Sequence, residues 1–382
     1  MKIALVSDAV HPWSVGGKET NLFEITQHLR PFAQIDIFTM SWWGREKKFT
    51  FEGIVHYSLC RSVPLYHKNR RSLVQGILFS LSMLRLLRRL QNYDVVVTDQ
   101  VPNLHLFPLW MLTRLQGLKL AVIWNEYWGE QYWKTYLGSF RGFLAARLER
   151  FSISTADLVL SISPHTSERL RASSKTVSRT IDLPLPVSTV SHQPSSNLKS
   201  RYDVCYSGRL ISHKRIDILL RAIALLKESK LELRVAIGGA GPESSSLQEL
   251  AKDLGIDAMT DFLGDLGSSE KAQQLMLESK VFVSPSEREG FGLSVAEALS
   301  LGLPAIVSDH EDNASKGLVR HQVNGSIFPS GDTKKLAEAI KFWLEEDGPK
   351  LNNITDESFP SRSWERVATL VLESLQTIKR PG

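Results

Sequence analysis

Cysteine is scarce in this chain: only Cys60 and Cys205 occur among its 382 residues, far apart and each in an apolar, strand-like setting. A disulfide framework is excluded, and a reducing compartment is expected. Metal signatures are missing too. There is no Cys-x-x-Cys, no His-Glu-x-x-His and no Cys/His cluster of zinc spacing. Nor is there an Asp-x-Asp triplet, the usual carboxylate pair for a divalent metal on a sugar diphosphate. Long apolar runs are absent: the longest, Ser72 to Leu84, contains Gln75 and serines and is too short to span a bilayer. The opening Met1-Lys-Ile-Ala-Leu-Val-Ser-Asp8 reads as a strand running into a loop, not a signal peptide. A cytoplasmic location is the expectation.

What is present is ordinary globular composition, with 42% apolar and 23% charged residues. The length suits two domains. Net charge is +5, and the excess is local: Lys68, Arg70, Arg71, Arg85, Arg88 and Arg89 flank or punctuate the helical stretch 72–90. Such a helix can lie on the anionic inner face of a membrane as a peripheral contact. The alternative, which the residues alone favour, is a domain-surface helix whose leucines face the core. Nucleic acid is not an expected partner, because no recognition motif accompanies the charge.

Strand-like and helix-like runs alternate throughout. In the first half the strands are Ile3–Ser7, Ile35–Thr39, Ile54–Ser58, Val95–Thr98, Leu120–Trp124 and Leu158–Ser161, with helices over Thr20–Arg30, Ser72–Leu90, Leu104–Gln116 and Gly142–Thr155. A Ser/Pro/His/Asn stretch, Pro184 to Ser200, reads as a linker. The grammar then repeats, with strands Asp203–Ser207, Leu233–Ile237, Thr260–Leu263, Val281–Ser284 and Ala305–Ser308, and helices 214–228, 244–253, 269–278, 293–301 and 333–345. Alternation of this kind predicts two doubly wound α/β sheets, with ligands at the carboxyl ends of the strands.

The densest chemistry is Ser284-Pro-Ser-Glu-Arg-Glu-Gly-Phe-Gly-Leu-Ser-Val-Ala-Glu-Ala298. Glu289 and Glu297, with seven residues between them, bracket the turn Gly290-Phe291-Gly292, and Leu293 opens a helix. A strand–glycine turn–helix junction offers free backbone N–H groups to an anion, phosphate above all. A carboxylate there accepts hydrogen bonds from sugar hydroxyls instead. The bland reading is an ordinary strand–loop–helix unit with solvated glutamates. Upstream, Ser207-Gly-Arg-Leu-Ile-Ser-His-Lys-Arg215 puts Arg209 and Lys214 at a strand end and a helix start, where two cations can grip a diphosphate. Arg215 and His213 are alternative readers, and a solvated loop charge is the structural alternative.

Pro285-Ser286, Ala296-Glu297-Ala298 and Gly302-Leu-Pro-Ala-Ile-Val-Ser308 complete a pattern that resembles the retaining glycosyltransferases of family GT4. The resemblance covers most of the chain and is strongest between about 200 and 330. It implies the GT-B fold: two Rossmann-like domains facing across a cleft, an acceptor domain at 1–185, a linker at 186–200 and a nucleotide-sugar domain at 201–363. A last helix at about 364–380 would return to the first domain. It also implies Arg209 and Lys214 on the diphosphate, amides at 290–293 on the distal phosphate or sugar, Glu289 on the donor sugar and Glu297 on the ribose. Gly239 and Gly241, in Gly238-Gly-Ala-Gly-Pro-Glu243, would wall the nucleoside, and Gly264 closes a segment (261–264) resembling the one whose backbone meets the base. Gly16 and Gly17, in Pro12-Trp-Ser-Val-Gly-Gly-Lys-Glu-Thr20, would lie by the donor phosphates and the acceptor. A purely structural turn is the other reading for these glycines.

One position departs from the family pattern. Where many relatives carry a histidine at a strand end, this sequence has Asn125, within the aromatic run Ile123-Trp-Asn-Glu-Tyr-Trp-Gly-Glu-Gln-Tyr-Trp133. That run is expected to face the cleft. Asparagine hydrogen-bonds but does not titrate. Glu126 or Glu130 is an alternative contributor; Asp312, Asp309-His-Glu-Asp-Asn313 and the histidines are read as exposed or structural. The function implied is a metal-independent, retaining hexosyl transfer from a nucleotide-diphosphate sugar to a glycan or lipid-linked acceptor, with no cofactor. A non-catalytic nucleotide-sugar-binding scaffold and a sugar-phosphate synthase with a soluble acceptor are the alternatives.

Overall fold

The computed structural model describes residues 1–14, 16–67, 70–174, 179–186, 200–345 and 363–380, with backbone alone at 66, 67 and 70. Lys68 and the expected linker, apart from its end residues, lie outside them. The chain forms two compact units, Met1–Pro186 with Arg362–Gly382, and Val187–Ser361.

In the first unit eight strands share one sheet: β1 (Lys2–Val6), β2 (Gln34–Ser41), β3 (Lys48–Phe51), β4 (Ile54–Arg61), β7 (Val95–Asp99), β8 (Leu120–Trp124), β9 (Leu158–Ser161) and β10 (Arg179–Asp182). A two-residue pair, β5 (Tyr66–His67) and β6 (Arg70–Arg71), stands apart. The sheet order is β10-β9-β8-β7-β1-β2-β4-β3, parallel except for the edge strand β3. Central strands of a parallel sheet are covered on both faces, which is why β1, β7 and β8 are apolar almost without interruption.

Helices α2 (Leu73–Ser82), α3 (Leu106–Leu115), and the pair α4 (Gly129–Leu137) and α5 (Ser139–Ile153) carry the chain β4→β7→β8→β9, always in one direction across the sheet. Right-handed crossovers therefore set them on one face. Helix α1 (Gly17–Leu29) crosses the other way, and α12 (Trp364–Gln376) packs against it. Helix α6 (Pro164–Ser173) begins on a Ser163 cap whose hydroxyl accepts from Thr166 N, with Pro164 in its first turn.

The second unit holds a six-stranded parallel sheet, β13-β12-β11-β14-β15-β16, built from β11 (Tyr202–Ser207), β12 (Val235–Gly238), β13 (Thr260–Gly264), β14 (Ser279–Ser284), β15 (Ala305–Ser308) and β16 (Gly325–Phe328). Side-chain alternation splits its core in two. Val204, Val281 and Val283 join one apolar cluster with α7 (Ile216–Glu228) and α11 (Thr333–Leu344). Cys205, Phe282 and Val307 join another with α9 (Ser269–Leu277) and α10 (Leu293–Ser300). Helix α8 (Ser244–Asp253) completes the unit. The expected doubly wound α/β pair is what the chain adopts.

Two expectations need correcting. The single helix over 72–90 is α2 followed by 3₁₀ turns at Met83–Leu86 and Leu90–Asn92. Ser80 and Ser82 donate their hydroxyls to Gly76 O and Phe79 O at 2.7 and 2.6 Å, a competition with the helical ladder that favours such a break. Its leucines, moreover, do not all face the core: Phe79, Met83, Leu86 and Leu90 do, whereas Leu73, Leu78, Leu81, Leu84 and Leu87 are exposed.

Candidate active site

Strands β11 and β14 are neighbours in the second sheet, so the loops leaving their carboxyl ends meet. Backbone bonds fix the meeting: Glu287 N donates to His213 O at 2.9 Å. Lys214 Nζ then reaches Glu289 Oε1 at 2.5 Å, both side chains mostly buried. Arg215, one of the alternative readers, sits in a left-handed conformation and is held by Asp217 and Glu287. His213 is half-buried, and desolvation first, then Lys214, Arg288 and Arg209, push its pKa down to about 2. It is a neutral imidazole at physiological pH, surrounded by cations. Arg209 itself is exposed at the end of β11, where its carbonyl accepts from the buried Tyr206 hydroxyl at 3.1 Å. Burial and the nearby Glu289 raise that phenol well above its ordinary value.

The glycine turn is built as a close approach. Gly292 caps α10 at φ 91°, and a Cβ on it would lie 2.4 Å from Ser315 Cβ. Phe291 is buried beside it, while Gly290 and Leu293 are half-buried. Glu289 joins the segment 312–314 through a bridge to Asn313: Glu289 N donates to Asp312 O at 3.1 Å, and Ala314 N to Glu289 O at 3.0 Å. Sequence reasoning passed over Asn313. It is fully buried, donating Nδ2 to Ser308 O at 3.0 Å and accepting at Oδ1 from Ser315 Oγ at 2.6 Å. Asp312, expected to be exposed, is half-buried by the same pairing. One turn and a half along α10, Glu297 is pushed up to about 7 by burial, which a hydrogen bond to Gln273 only partly counters.

Gly239 and Gly241 have a backbone reason to be glycine. A Cβ at either would fall within 1.8 and 2.2 Å of Gly208 O and Leu210 O, and the segments are tied by Gly208 N to Gly238 O and Leu210 N to Ala240 O, each 3.0 Å. They weld the Arg209 loop to β12. Gly264, at φ 68° and with open space about it, accepts from Gly239 N at 2.7 Å.

In the first unit Gly16 caps α1 and Gly17 is its first residue. A Cβ on Gly16 would meet Glu19 Oε2 at 2.7 Å. The next residue, Lys18, is a second that sequence reasoning missed. Its ammonium is 2.8 Å from Asp8 Oδ1 and 3.3 Å from Asp99 Oδ2, at the carboxyl ends of β1 and β7. Asp8 also accepts from Arg71 and, at 2.7 Å, from Gln75 Nε2. Burial opposes both charges, yet Lys18 and Arg71 hold Asp8 well below the usual carboxylate range, and Asp8, Asp99 and Glu19 raise Lys18 above an ordinary lysine.

Asn125, at the end of β8, donates its backbone N and its Nδ2 to Gln100 Oε1 at 3.1 and 3.0 Å; its Oδ1 is buried without a partner among the described residues. Of the aromatic run, Trp124 is wholly buried, and Trp128, Tyr132 and Trp133 pack on one another with Tyr136. Buried Glu149 holds this packing, accepting from Trp128 N, Gly129 N and Trp133 Nε1, each at 2.9 Å. Glu130 is exposed and paired with Lys134 at 2.6 Å, and His105 is a buried partner of Thr98.

Both units thus gather charge and glycine turns at the carboxyl ends of parallel strands, the pattern of doubly wound proteins that bind nucleotide-type ligands. Two family descriptions match: Glycosyl transferase 4-like domain over residues 17–181 and Glycosyl transferases group 1 over residues 189–359. The chain belongs to the GT4-type glycosyltransferases of GT-B fold. It is similar to the D-inositol 3-phosphate glycosyltransferase of Saccharomonospora viridis, 31% identical over 206 residues, 51% of this chain and 44% of that one. It is also similar to the gpi3 subunit of the Schizosaccharomyces pombe phosphatidylinositol N-acetylglucosaminyltransferase, 22% identical over 313 residues, 79% and 64% of the two chains. Matched segments span 15% to 44% of the length of four curated relatives, the inositol phosphate enzyme among them. Among solved structures, Anabaena HepE in complex with UDP and glucose superposes with a TM-score of 0.72 at 18% identity, covering 99% of this chain and all of that one. The lipopolysaccharide outer core galactosyltransferase WaaB gives 0.71 at 17%, covering 98% and 99%. At those identities the likeness is one of fold.

Proposed function

We propose that the chain transfers a hexose from a nucleotide-diphosphate sugar to a glycan or lipid-linked acceptor, with retention at the anomeric carbon and without a metal ion. One observation carries the reading: a half-buried neutral histidine, His213, lies amid Lys214, Arg288 and Arg209, with Lys214 seated on Glu289. Fixed positive charge beside a helix start, where the backbone dipole favours an anion, suits a diphosphate, which gains charge as its sugar leaves. Arg209 and Lys214 take the phosphate oxygens, and the amides of Gly290 to Leu293 take the distal phosphate or sugar. Glu289 accepts from sugar hydroxyls and orients C1, while Glu297 accepts from the ribose. The C1–O bond to the diphosphate breaks, C1 bonds the acceptor oxygen on the same face, and the departing phosphate oxygen takes the acceptor's proton. No side-chain base is required, which agrees with an asparagine at position 125.

The similarity to HepE, solved with UDP and glucose, puts UDP-glucose at the head of the donors to try. The test is a thermal-shift panel of UDP, GDP, ADP, TDP and their sugar conjugates, with and without chelator. Ligand at a hundredfold over its Kd stabilises the native state by about 2.7 kcal/mol. Selective stabilisation that survives chelation fixes the donor class. Silence across the panel overturns the diphosphate site and favours a scaffold role.

A further inference from the structure

The helical layer formed by α2, α3 and α5 presents an outer surface that is more apolar than its inner one is obliged to be. On α2 the buried positions include Gln75, Gly76 and Ser82, while Val74 and Ile77 point outward. Leu73 and Leu81 are 70% and 63% exposed. The stripe continues through Leu84 and Leu87, beyond the helix. Its neighbour α3 exposes Trp110, Met111 and Leu115. Helix α5 repeats the inversion: Gly142, Ala146, Glu149 and Ser152 are buried, while Phe140, Leu144 and Phe151 are exposed, Phe140 by 75%. Contacts between α2 and α3, and of both with the 3₁₀ turn Met83–Leu86 or Asn103–His105, make these one continuous layer, and α5 joins it at Asn103–His105. Scattered exposed leucines need no explanation; a whole layer of them marks an interaction surface.

Charge on this layer has one sign. No Asp or Glu occurs between Glu52 and Asp94, and none on α3. The single acid of α5, Glu149, is buried under its three donors. The exposed charges on the layer itself are Arg85, Arg88, Arg89, Arg114, Arg141, Arg147 and Arg150. Arg114 is paired with Asp157 at 3.1 Å, and beside α5 the exposed Glu130 of α4 is paired with Lys134. Among the described residues no helix is long and apolar enough to cross a membrane, so the layer could only lie along one.

We propose that this face docks on an anionic lipid bilayer, with the leucines, phenylalanines and Trp110 seated at the headgroup–acyl boundary and the arginines on lipid phosphates. A second protein copy would be an apolar occupant without a use for a surface whose exposed charges on α2, α3, α5 and the turns after α2 are all arginines, and the charge selects the bilayer. Docking stands independently of the transfer reading; on that reading, it brings the first unit to a lipid-linked acceptor.

The experiment is co-sedimentation of the full chain with vesicles of phosphatidylcholine alone or mixed with phosphatidylglycerol. Binding is expected to the mixed vesicles only and to weaken with salt. Arg88→Glu with Arg141→Glu should lower the partition at least roughly fivefold per arginine, and Leu73→Ser with Leu81→Ser should abolish it. Both pairs are exposed and should leave the melting temperature and vesicle-free nucleotide binding unchanged. Binding to neither vesicle, binding indifferent to both variants, or self-association that the leucine variant abolishes would each overturn the proposal. Nucleotide binding read in the same samples shows separately whether the diphosphate site stands.

Discussion

Lys214 and Glu289, 75 residues apart in the chain, meet at 2.5 Å because β11 and β14 are adjacent in the sheet. Without ligand, the lysine proposed for the diphosphate and the carboxylate proposed for the sugar neutralise each other. On the proposed reading, an incoming diphosphate would compete with Glu289 for Lys214, and the carboxylate it displaces would be left facing the sugar. Binding and orientation would thereby be coupled through one ion pair.

Glu289→Gln separates the two. The isosteric amide leaves Lys214 free for phosphate, so nucleotide diphosphate affinity should hold or rise, while turnover falls on the order of a hundredfold or more. Lys214→Ala should do the reverse: diphosphate affinity drops roughly tenfold, as for one charged hydrogen bond, with monophosphate affinity closer to normal. Calorimetry with the mono- and diphosphate, beside a donor-turnover assay, reads both; equal activity in the glutamine variant removes Glu289 from the mechanism.

Gly292→Ala tests the turn. The added methyl faces Ser315 Cβ at 2.4 Å and an αL backbone that an L residue adopts at a cost of about 1 kcal/mol or more. The variant should lose roughly 2–3 kcal/mol of stability together with nucleotide protection in a thermal shift. Ser315→Gly on that background relieves the contact but not the backbone, so recovery should be partial. Full recovery would show that the left-handed conformation costs nothing here.

How much of this was legible in the sequence follows from how local each signal is. Strands buried on both faces announce themselves as continuous apolar runs, so β8 was readable residue by residue and β1, β7 and β14 to within two residues at their ends. The turn at 290–292 was readable because only glycine suits φ 91° at its end. Helix α4 was not, because its N-terminal amides are capped by Glu149 from the following helix and not by a neighbour in sequence. Asn313 was passed over for the same reason: its partners Ser308 and Ser315 matter only once a bridge to Glu289 exists. The direction in which the leucines of α2 point was misjudged because their spacing fits either side of a helix, and Gln75 is buried by its bond to Asp8 from another element.

Glu297 should make the protein pH-sensitive in a defined direction. Its native pKa of about 7 stands above the ordinary 4.5, so between those values the folded protein binds more protons than the unfolded chain. Stability from this group is therefore fully present below the unfolded value and lost as pH rises through the native one, up to roughly 3 kcal/mol. Because other groups titrate in the same window, the quantity to measure is the difference in unfolding free energy between wild type and Glu297→Gln. The glutamine variant should gain on wild type from about pH 4.5 upward and level off above about 7. Nucleotide affinity should move oppositely, rising as the carboxylate proposed to accept from the ribose ionises. A flat difference would mean that Glu297 is solvated.

Lys18 makes a last prediction, because a buried ammonium between two carboxylates is tolerable only while every partner is present. Lys18→Met leaves Asp8 with Arg71 as its remaining paired cation and Asp99 with the neutral donors Ser7 Oγ and Val101 N, and should cost about 3–5 kcal/mol in urea unfolding. Adding Asp8→Asn removes one of the stranded charges and should restore part of that loss, so the double variant is more stable than the sum of the singles. The sign with pH is fixed as well. A depressed carboxylate contributes above its ordinary pKa and a raised lysine below its own, so the contribution is constant between about pH 4 and 10 and fails only beyond those limits. If Lys18→Met unfolds at the same urea concentration as wild type, water reaches the cluster and its charges are solvated individually. An unchanged melting point together with lost donor binding would instead move Lys18 from holding the fold to holding the ligand.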